Sequence, residues 1–290
     1  MSVQPPTPIP SEAAGAGEVG AAGPVAGRID AGDHALARGV LYGALALALQ
    51  PPDPNGVSRL ESPDAGQALG DAAALLDAAD GRLRHATARF LLGVGAEGAD
   101  DRARRFTRLF GHITRGMVCL YETEYGIGTV YGQPQMLADI AGYYRAFGLQ
   151  PAGDTRGRPD HVGCECAFME YLSLKEAYCL EAVDTGSPAD ESPDRETLLE
   201  TRRVAQIFLR DHLGRFGVAF AHAAVRADDE GFYASAARLL LRLIELDCER
   251  LGIPQGPATL ELRPDAEEPV PMACGEEPEL IQIQRSRPPA

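Results

Sequence analysis

The chain has 290 residues, 45% hydrophobic and 6% aromatic with no tryptophan, enough to bury a core in one large domain or two small ones. Its 27 basic residues face 42 acidic ones, a net charge of −15, which argues against nucleic acid and favours basic partners. The best apolar run, Val40 to Leu49, is about half the roughly 18 residues of a membrane span, and Glu12, Glu18 and several glycines interrupt what would be a secretory signal. The expected location is therefore the cytoplasm, with no membrane partner.

Residues 1–30, rich in Ala, Gly and Pro, show no helical periodicity and are expected to form a disordered tail. Between residues 31 and 252 apolar positions recur at spacings of three and four, and no run alternates over six residues. The fold class is accordingly all-α, a single bundle-like helical domain over 31–252. Helices are expected near 31–49, 67–92, 99–119, 134–148, 160–183, 194–213 and 229–251, with a short one around 214–225. Gly93, Gly148 before Pro151, Gly186 with Pro188, and Gly252 before Pro254 mark stops. Two stripes predict buried helix faces: Cys164, Phe168, Tyr171, Leu174 and Tyr178, and Phe232, Ala236, Leu239, Leu243 and Leu246. Residues 253–290 are rich in Pro and acids and are expected to be extended or partly disordered. Within them Glu279–Gln284 alternates as an extended segment packed on the body would. The six cysteines (119, 164, 166, 179, 248 and 274) read as reduced thiols in a chain without a signal peptide.

The chain lacks a Walker A loop, a GxGxxG turn, a GxSxG elbow and an HExxH pair, so no catalytic residue and no cofactor is expected. One cluster for chemistry is Asp160, His161, Cys164, Glu165 and Cys166. His161 and Glu165 share a helical face, but Cys164 and Cys166 point about 200° apart, which does not give the ligand pairs of a structural zinc site. No metal is expected. Asp160, just after Pro159, reads as a helix N-cap, with Glu165 near the positive end of the macrodipole. The second cluster is Tyr121, Glu122, Glu124, Tyr125 and Gly126. On a helix its two tyrosines stack one turn apart as core or as a groove wall, and Gly126 and Gly128 end that helix beside a loop.

Three segments in order, Tyr121 to Gly126 (YETEYG), Met136 to Leu149 (MLADIAGYYRAFGL) and Arg158 to Leu172 (RPDHVGCECAFMEYL), resemble the TorD/DmsD-type molybdoenzyme assembly chaperone family. The likeness is to its delta-type members, which accompany enzymes of the nitrate reductase, ethylbenzene dehydrogenase and dimethyl sulfide dehydrogenase group. Pro159, Asp160, His161, Glu165, Phe168 and Met169 stand at the matching positions of the third segment. Cys166 and Ala167 depart from the pattern, standing where a leucine and a second glutamate are common. The resemblance covers roughly residues 34–250. It implies a cytoplasmic, non-enzymatic chaperone that binds the twin-arginine signal peptide of a DMSO reductase-type catalytic subunit, assists molybdopterin cofactor insertion and delays export. The expected peptide-binding residues are Tyr121, Glu122, Glu124, Tyr125, Asp160, His161 and Glu165, with the acids meeting the paired arginines and the tyrosines the apolar stretch. Two alternatives remain: a retained non-catalytic subunit of a molybdenum enzyme complex, and a metal-dependent helical enzyme using His161, Glu165 and the cysteines.

Overall fold

The structure, a computed structural model, describes residues 31–77, 80–111, 116–126, 132–150, 158–185 and 195–263. Its elements are α1 (Ala31–Ala48), α2 (Pro54–Glu61), α3 (Pro63–Leu76), α4 (Arg82–Ala96), α5 (Ala99–Phe110), a 3-10 turn (Glu122–Glu124), α6 (Gly132–Ala146), α7 (Val162–Thr185), α8 (Arg195–Asp211), α9 (Leu213–Ala227) and α10 (Phe232–Leu251). Among the described residues the only β pairing is two isolated bridges, so the all-α expectation holds.

Several boundaries differ from the sequence reading for local reasons. Two helical stretches not expected from the sequence reading, α2 and the start of α3, open on Pro54 and Pro63, at the position where a missing N–H costs nothing. Asp53 caps α2 by accepting from Asn55 N and Gly56 N, and Ser62 caps α3 by accepting from Ala65 N. The expected helix 67–92 is two helices. The chain turns after Asp77, and Gly81 (φ +69°) precedes α4, whose Leu83 N–H and Arg84 Nε the Asp77 carboxylate accepts. Gly93 is no stop: α4 runs on to Ala96, and a Cβ at 93 would lie 2.9 Å from Ser235 Oγ and 3.4 Å from Phe232 Cα of α10. This glycine sets helix spacing. The helix expected over 99–119 ends at Phe110, where Gly111 (φ +78°) reverses the chain and Val118 N pairs back to Leu109 O. Gly148 and Gly252 end α6 and α10 with positive φ, as expected.

α7 packs against α1 along its length and also meets α8 and α9, while α10 lies between α9, α4 and α1. Gly39 and Gly43 let α1 approach α7: a Cβ on Gly39 would sit 2.8 Å from Leu174 Cδ2, and one on Gly43 would sit 2.5 Å from Glu170 Oε1. Because α7 has neighbours on several sides, its buried set (Val162, Cys166, Phe168, Met169, Leu172, Cys179) is not the single stripe expected, and Leu174 and Tyr178 are 40% and 58% exposed. The α10 stripe is buried from Phe232 to Leu243, as its amphipathic pattern requires.

Charges are buried with the apolar core. Arg38 of α1 donates to Glu176 of α7 (2.5 Å) and lies 3.5 Å from Asp247 of α10; Arg202 of α8 adds a 2.7 Å pair to Glu176. Tyr42 donates to Asp247 at 2.9 Å, and this bond and burial push the phenol's pKa well up. Burial is the larger cause. Cys119, Cys164, Cys166, Cys179 and Cys248 form no disulfide.

After α10 the chain stays on the body. Gly256 N donates to Gly214 O (3.2 Å) so closely that a Cβ there would meet Arg215 O at 2.1 Å. Gly126 N then donates to Glu261 O (2.7 Å) and Arg263 N to Glu124 O (2.8 Å), forming the Tyr125–Leu262 bridge. The start of the expected extended tail is thus a strap along the helices. The tail over 1–30, the stop at Gly186 and the alternating Glu279–Gln284 lie outside the described residues.

Replacing Arg38 by Met leaves Asp247 and Glu176 without their shared interior cation. The expected loss is about 3–5 kcal/mol in urea denaturation, as for other broken buried pairs. Arg82→Ala, at an exposed pair with Asp80, leaves the denaturation midpoint in place.

Candidate functional site

The two segments singled out by sequence meet at one place. Glu122 N donates to Asp160 O and Val162 N to Leu120 O, both at 2.8 Å, which lays the 3-10 turn against the start of α7 as the Tyr121–His161 bridge. Asp160 is fully buried there. Its carboxylate accepts from Thr123 N (3.1 Å), Thr123 Oγ1 (2.7 Å) and both Nε and Nη2 of Arg158 (3.0 and 2.8 Å). The Arg158 guanidinium also reaches Glu124 Oε1 (3.3 Å) and lies 4.1 Å from the Tyr121 ring centroid, a cation–π contact. A second centre lies one residue away. Glu122, also fully buried, accepts from Arg215 Nη2 (2.9 Å) and pairs with His212 Nδ1 (3.0 Å) at the junction of α8 and α9. Gln133 of α6 completes the frame by donating to Thr123 Oγ1 and Glu124 Oε1, both at 3.0 Å.

Protonation follows from this packing. His161, not Asp160, caps α7: its Nδ1 accepts from Gly163 N (3.1 Å) and its carbonyl takes the first helical bonds. Only a deprotonated ring nitrogen can accept. Consistently, burial pushes the imidazole pKa down to about 4, with Asp160 opposing the shift and Arg158 adding to it. Asp160 is drawn instead to Arg158 and Thr123, which is why it is not free to cap. Glu165 is the contrary case. It is fully buried, and as a carboxylate it has no hydrogen-bond partner. Burial first, then the nearby charges of Glu122 and Asp160, raise its pKa well above the ordinary carboxylate range, and the protonated acid can donate to Glu122. Tyr144 donates to Pro159 O (2.9 Å) and is held neutral beside Glu165 mainly by burial.

The seven expected residues are therefore brought together, but not as an open acidic surface. Glu122, Asp160, His161, Glu165 and Tyr125 are buried, while Tyr121 and Glu124 are half-buried. Tyr121 and Tyr125 do not stack on an α-helix. Extended backbone flanks the 3-10 turn, which sends Tyr121 to His161 and Arg158 and sends Tyr125 inward, its hydroxyl donating to Cys119 O and its ring against Phe216. Sequence reasoning missed Arg158, His212 and Arg215, the cations that neutralise these acids. Arg158 stands immediately before the Pro-Asp-His run and was legible; His212 and Arg215 are remote in sequence and carried no signal. Among the described residues no group of three or more His, Cys, Asp or Glu is placed to hold a metal ion.

Beside this frame lies a groove of about 670 Å³ between α6, α7 and α8, lined by the rings of Tyr143, Phe147 and Tyr171 and by three charged side chains, Asp139, Glu200 and Lys175. A smaller hollow of about 380 Å³ extends it past Phe147 and Lys175 to Glu196. The aromatic floor rests on the core: Phe147 packs edge-on to Phe168 and Tyr171, and Tyr143 packs edge-on to Phe208. Tyr143 and Phe147 are four apart in the segment Met136–Leu149, so their shared face was available from sequence. The acidic rim on α8 was not.

A family model described as nitrate reductase delta subunit matches residues 70–222, just over half the chain, including every residue of the frame and the groove named above. No curated protein matches the chain. No helix among the described residues is long and apolar enough to cross a membrane.

Glu165→Gln supplies permanently the donor that the protonated acid supplies. In the wild type the native state holds a proton that the unfolded chain gives up. This stability is complete below the unfolded carboxylate pKa of about 4.3 and declines as pH rises through the raised folded value. Melting temperatures measured between pH 5 and 9 should fall with pH more steeply for the wild type than for the variant. Parallel curves would mean that Glu165 is ionised in the native state.

Proposed function

We propose that this chain, which belongs to the nitrate reductase delta subunit family and so is a non-catalytic chaperone of molybdoenzyme maturation, acts by binding the twin-arginine signal peptide of a DMSO reductase-type catalytic subunit. In this reading it works in the cytoplasm, keeping the client from export while molybdopterin cofactor is inserted, and holds no cofactor itself. The observation that carries the reading is the groove, an aromatic floor with carboxylates at its edge. A signal peptide offers the complementary pair of features, an apolar stretch and two guanidinium groups.

The apolar stretch lies on Tyr143, Phe147 and Tyr171, and the arginines reach Asp139, Glu196 and Glu200. Tyr121 and Glu124, half-buried at the frame, extend the contact surface. Glu122, Tyr125, Asp160, His161 and Glu165 act from below, fixing the turn and the start of α7 against which α6 is set. The frame's own arginines explain why the interior acids serve the scaffold: Arg158 and Arg215 already fill the positions that a peptide guanidinium would need. Exposed acid–arginine pairs contribute only about 0–1 kcal/mol each. Most affinity comes from apolar burial at roughly 25 cal/mol per Å².

Calorimetric titration with the client's signal peptide tests this, using a twin-lysine peptide as control. Saturable binding, weakened by lysine, is expected, because lysine cannot form the bidentate fork. Tyr171→Ala or Phe147→Ala should weaken binding about tenfold or more with the fold intact by melting curve, and Glu200→Gln about two- to fivefold, an effect that shrinks at high salt. No binding by folded protein to the correct peptide would remove the mechanism. A chain that co-elutes with the mature holoenzyme would instead identify a retained subunit.

A further inference from the structure

We propose that the groove between α6, α7 and α8 has an occupant within this chain: the segment Leu280–Arg287, which docks there in cis and competes with the client peptide. This rests on reading that groove as the peptide site.

Three observations carry it. The first is delivery. The strap does not leave the body at α10; it is pinned at Gly256 and again at the Tyr125–Leu262 bridge, and Arg263 Nη1 reaches Gln133 Oε1 (3.4 Å) on the first turn of α6. From Gln133, the groove residues Asp139, Tyr143 and Phe147 follow along the same helix, ~9 to 21 Å away at 1.5 Å per residue. The second is reach. Arg263 and Ile281 are 18 residues apart, a length that for an unstructured linker corresponds to roughly 23 Å on average, at about 5–6 Å times the square root of residue number. This matches the distance to be covered, the condition under which a tether gives its highest effective concentration, on the order of millimolar.

The third is chemistry. Beyond Arg263 the sequence has just two basic residues, Arg285 and Arg287, and they directly follow Leu280, Ile281 and Ile283. Paired guanidiniums beside an apolar stretch are the two features that the groove's acidic rim and aromatic floor complement. The intervening stretch, with Asp265, Glu267, Glu268, Glu276, Glu277 and Glu279, is repelled by that rim, so the basic end is the part of the tail that seats. The tail thereby covers the apolar floor when no client is present, and it sets a threshold that a weak basic peptide does not pass.

The experiment uses the full chain and two fluorescein-labelled peptides, the client signal peptide and residues 277–290 of this protein, followed by anisotropy. A tail-disabled variant carries Ile281→Asp, Ile283→Asp, Arg285→Glu and Arg287→Glu. It should bind the client peptide about tenfold more tightly than the wild type. The labelled 277–290 peptide should bind the variant saturably and the wild type barely, and Tyr171→Ala in the variant should abolish that binding. This arm does not need the client peptide, so failure of the signal-peptide reading leaves it standing. Equal affinity of both chains for 277–290, or none for either, overturns the proposal. So does sedimentation showing a dimer that the variant loses, because the tail would then occupy a second copy.

Discussion

Among the described residues five acidic side chains lie fully or almost fully inside this helical body, and four of them are matched to cations. Glu176 and Asp247 share Arg38, with Arg202 and Arg250 at their margins; Asp160 takes Arg158; Glu122 takes Arg215 and His212. Burying these groups costs several kcal/mol per ion, and the pairs largely offset that cost without adding much net stability. What they impose is selectivity among arrangements. A packing of α1, α7, α8 and α10 that separated Arg38 from its acids would strand interior charges. The guanidinium suits the task because its fork satisfies several acceptors at once while staying charged, and arginines accordingly hold all these positions save that of His212.

The same logic builds the frame beside the groove. The 3-10 turn has little apolar surface of its own, so its place is set by Asp160, Arg158 and Gln133. Through them the turn is tied to α7 on one side and α6 on the other. The aromatic layer of Tyr144, Phe168 and Phe208 then fixes the angle at which α6 crosses α7 and α8. A groove made this way has an aromatic floor that rests on the core and a charged rim. Glu165 departs from the pattern as a buried acid with no cation, and it stays inside by keeping its proton.

The strap follows a different principle. Backbone hydrogen bonds and a glycine contact, not charges, hold it to the α9 start and to the 3-10 turn. It lies outside the span matched by the family model. It adds an extended segment to the frame, and Arg263 within it reaches Gln133 on the first turn of α6.

By itself the sequence determined the helical class, the amphipathic face of α10 and the glycine-marked ends of α6 and α10, because these follow from periodicity and local φ preferences. It also identified the chemistry-bearing segments around residues 121–126 and 158–172. It did not reveal that they touch, nor that most of their acids are inside, since burial depends on which distant cation arrives. His212 and Arg215 lie some ninety residues from Glu122, and no local pattern links them. Likewise Gly93 reads as a stop in the sequence but is a close-contact point with α10 in the fold, and α7 reads as one apolar stripe but is packed on several sides. Tertiary structure decided these points, because a side chain's charge state and exposure belong to its surroundings and not to its position in the chain.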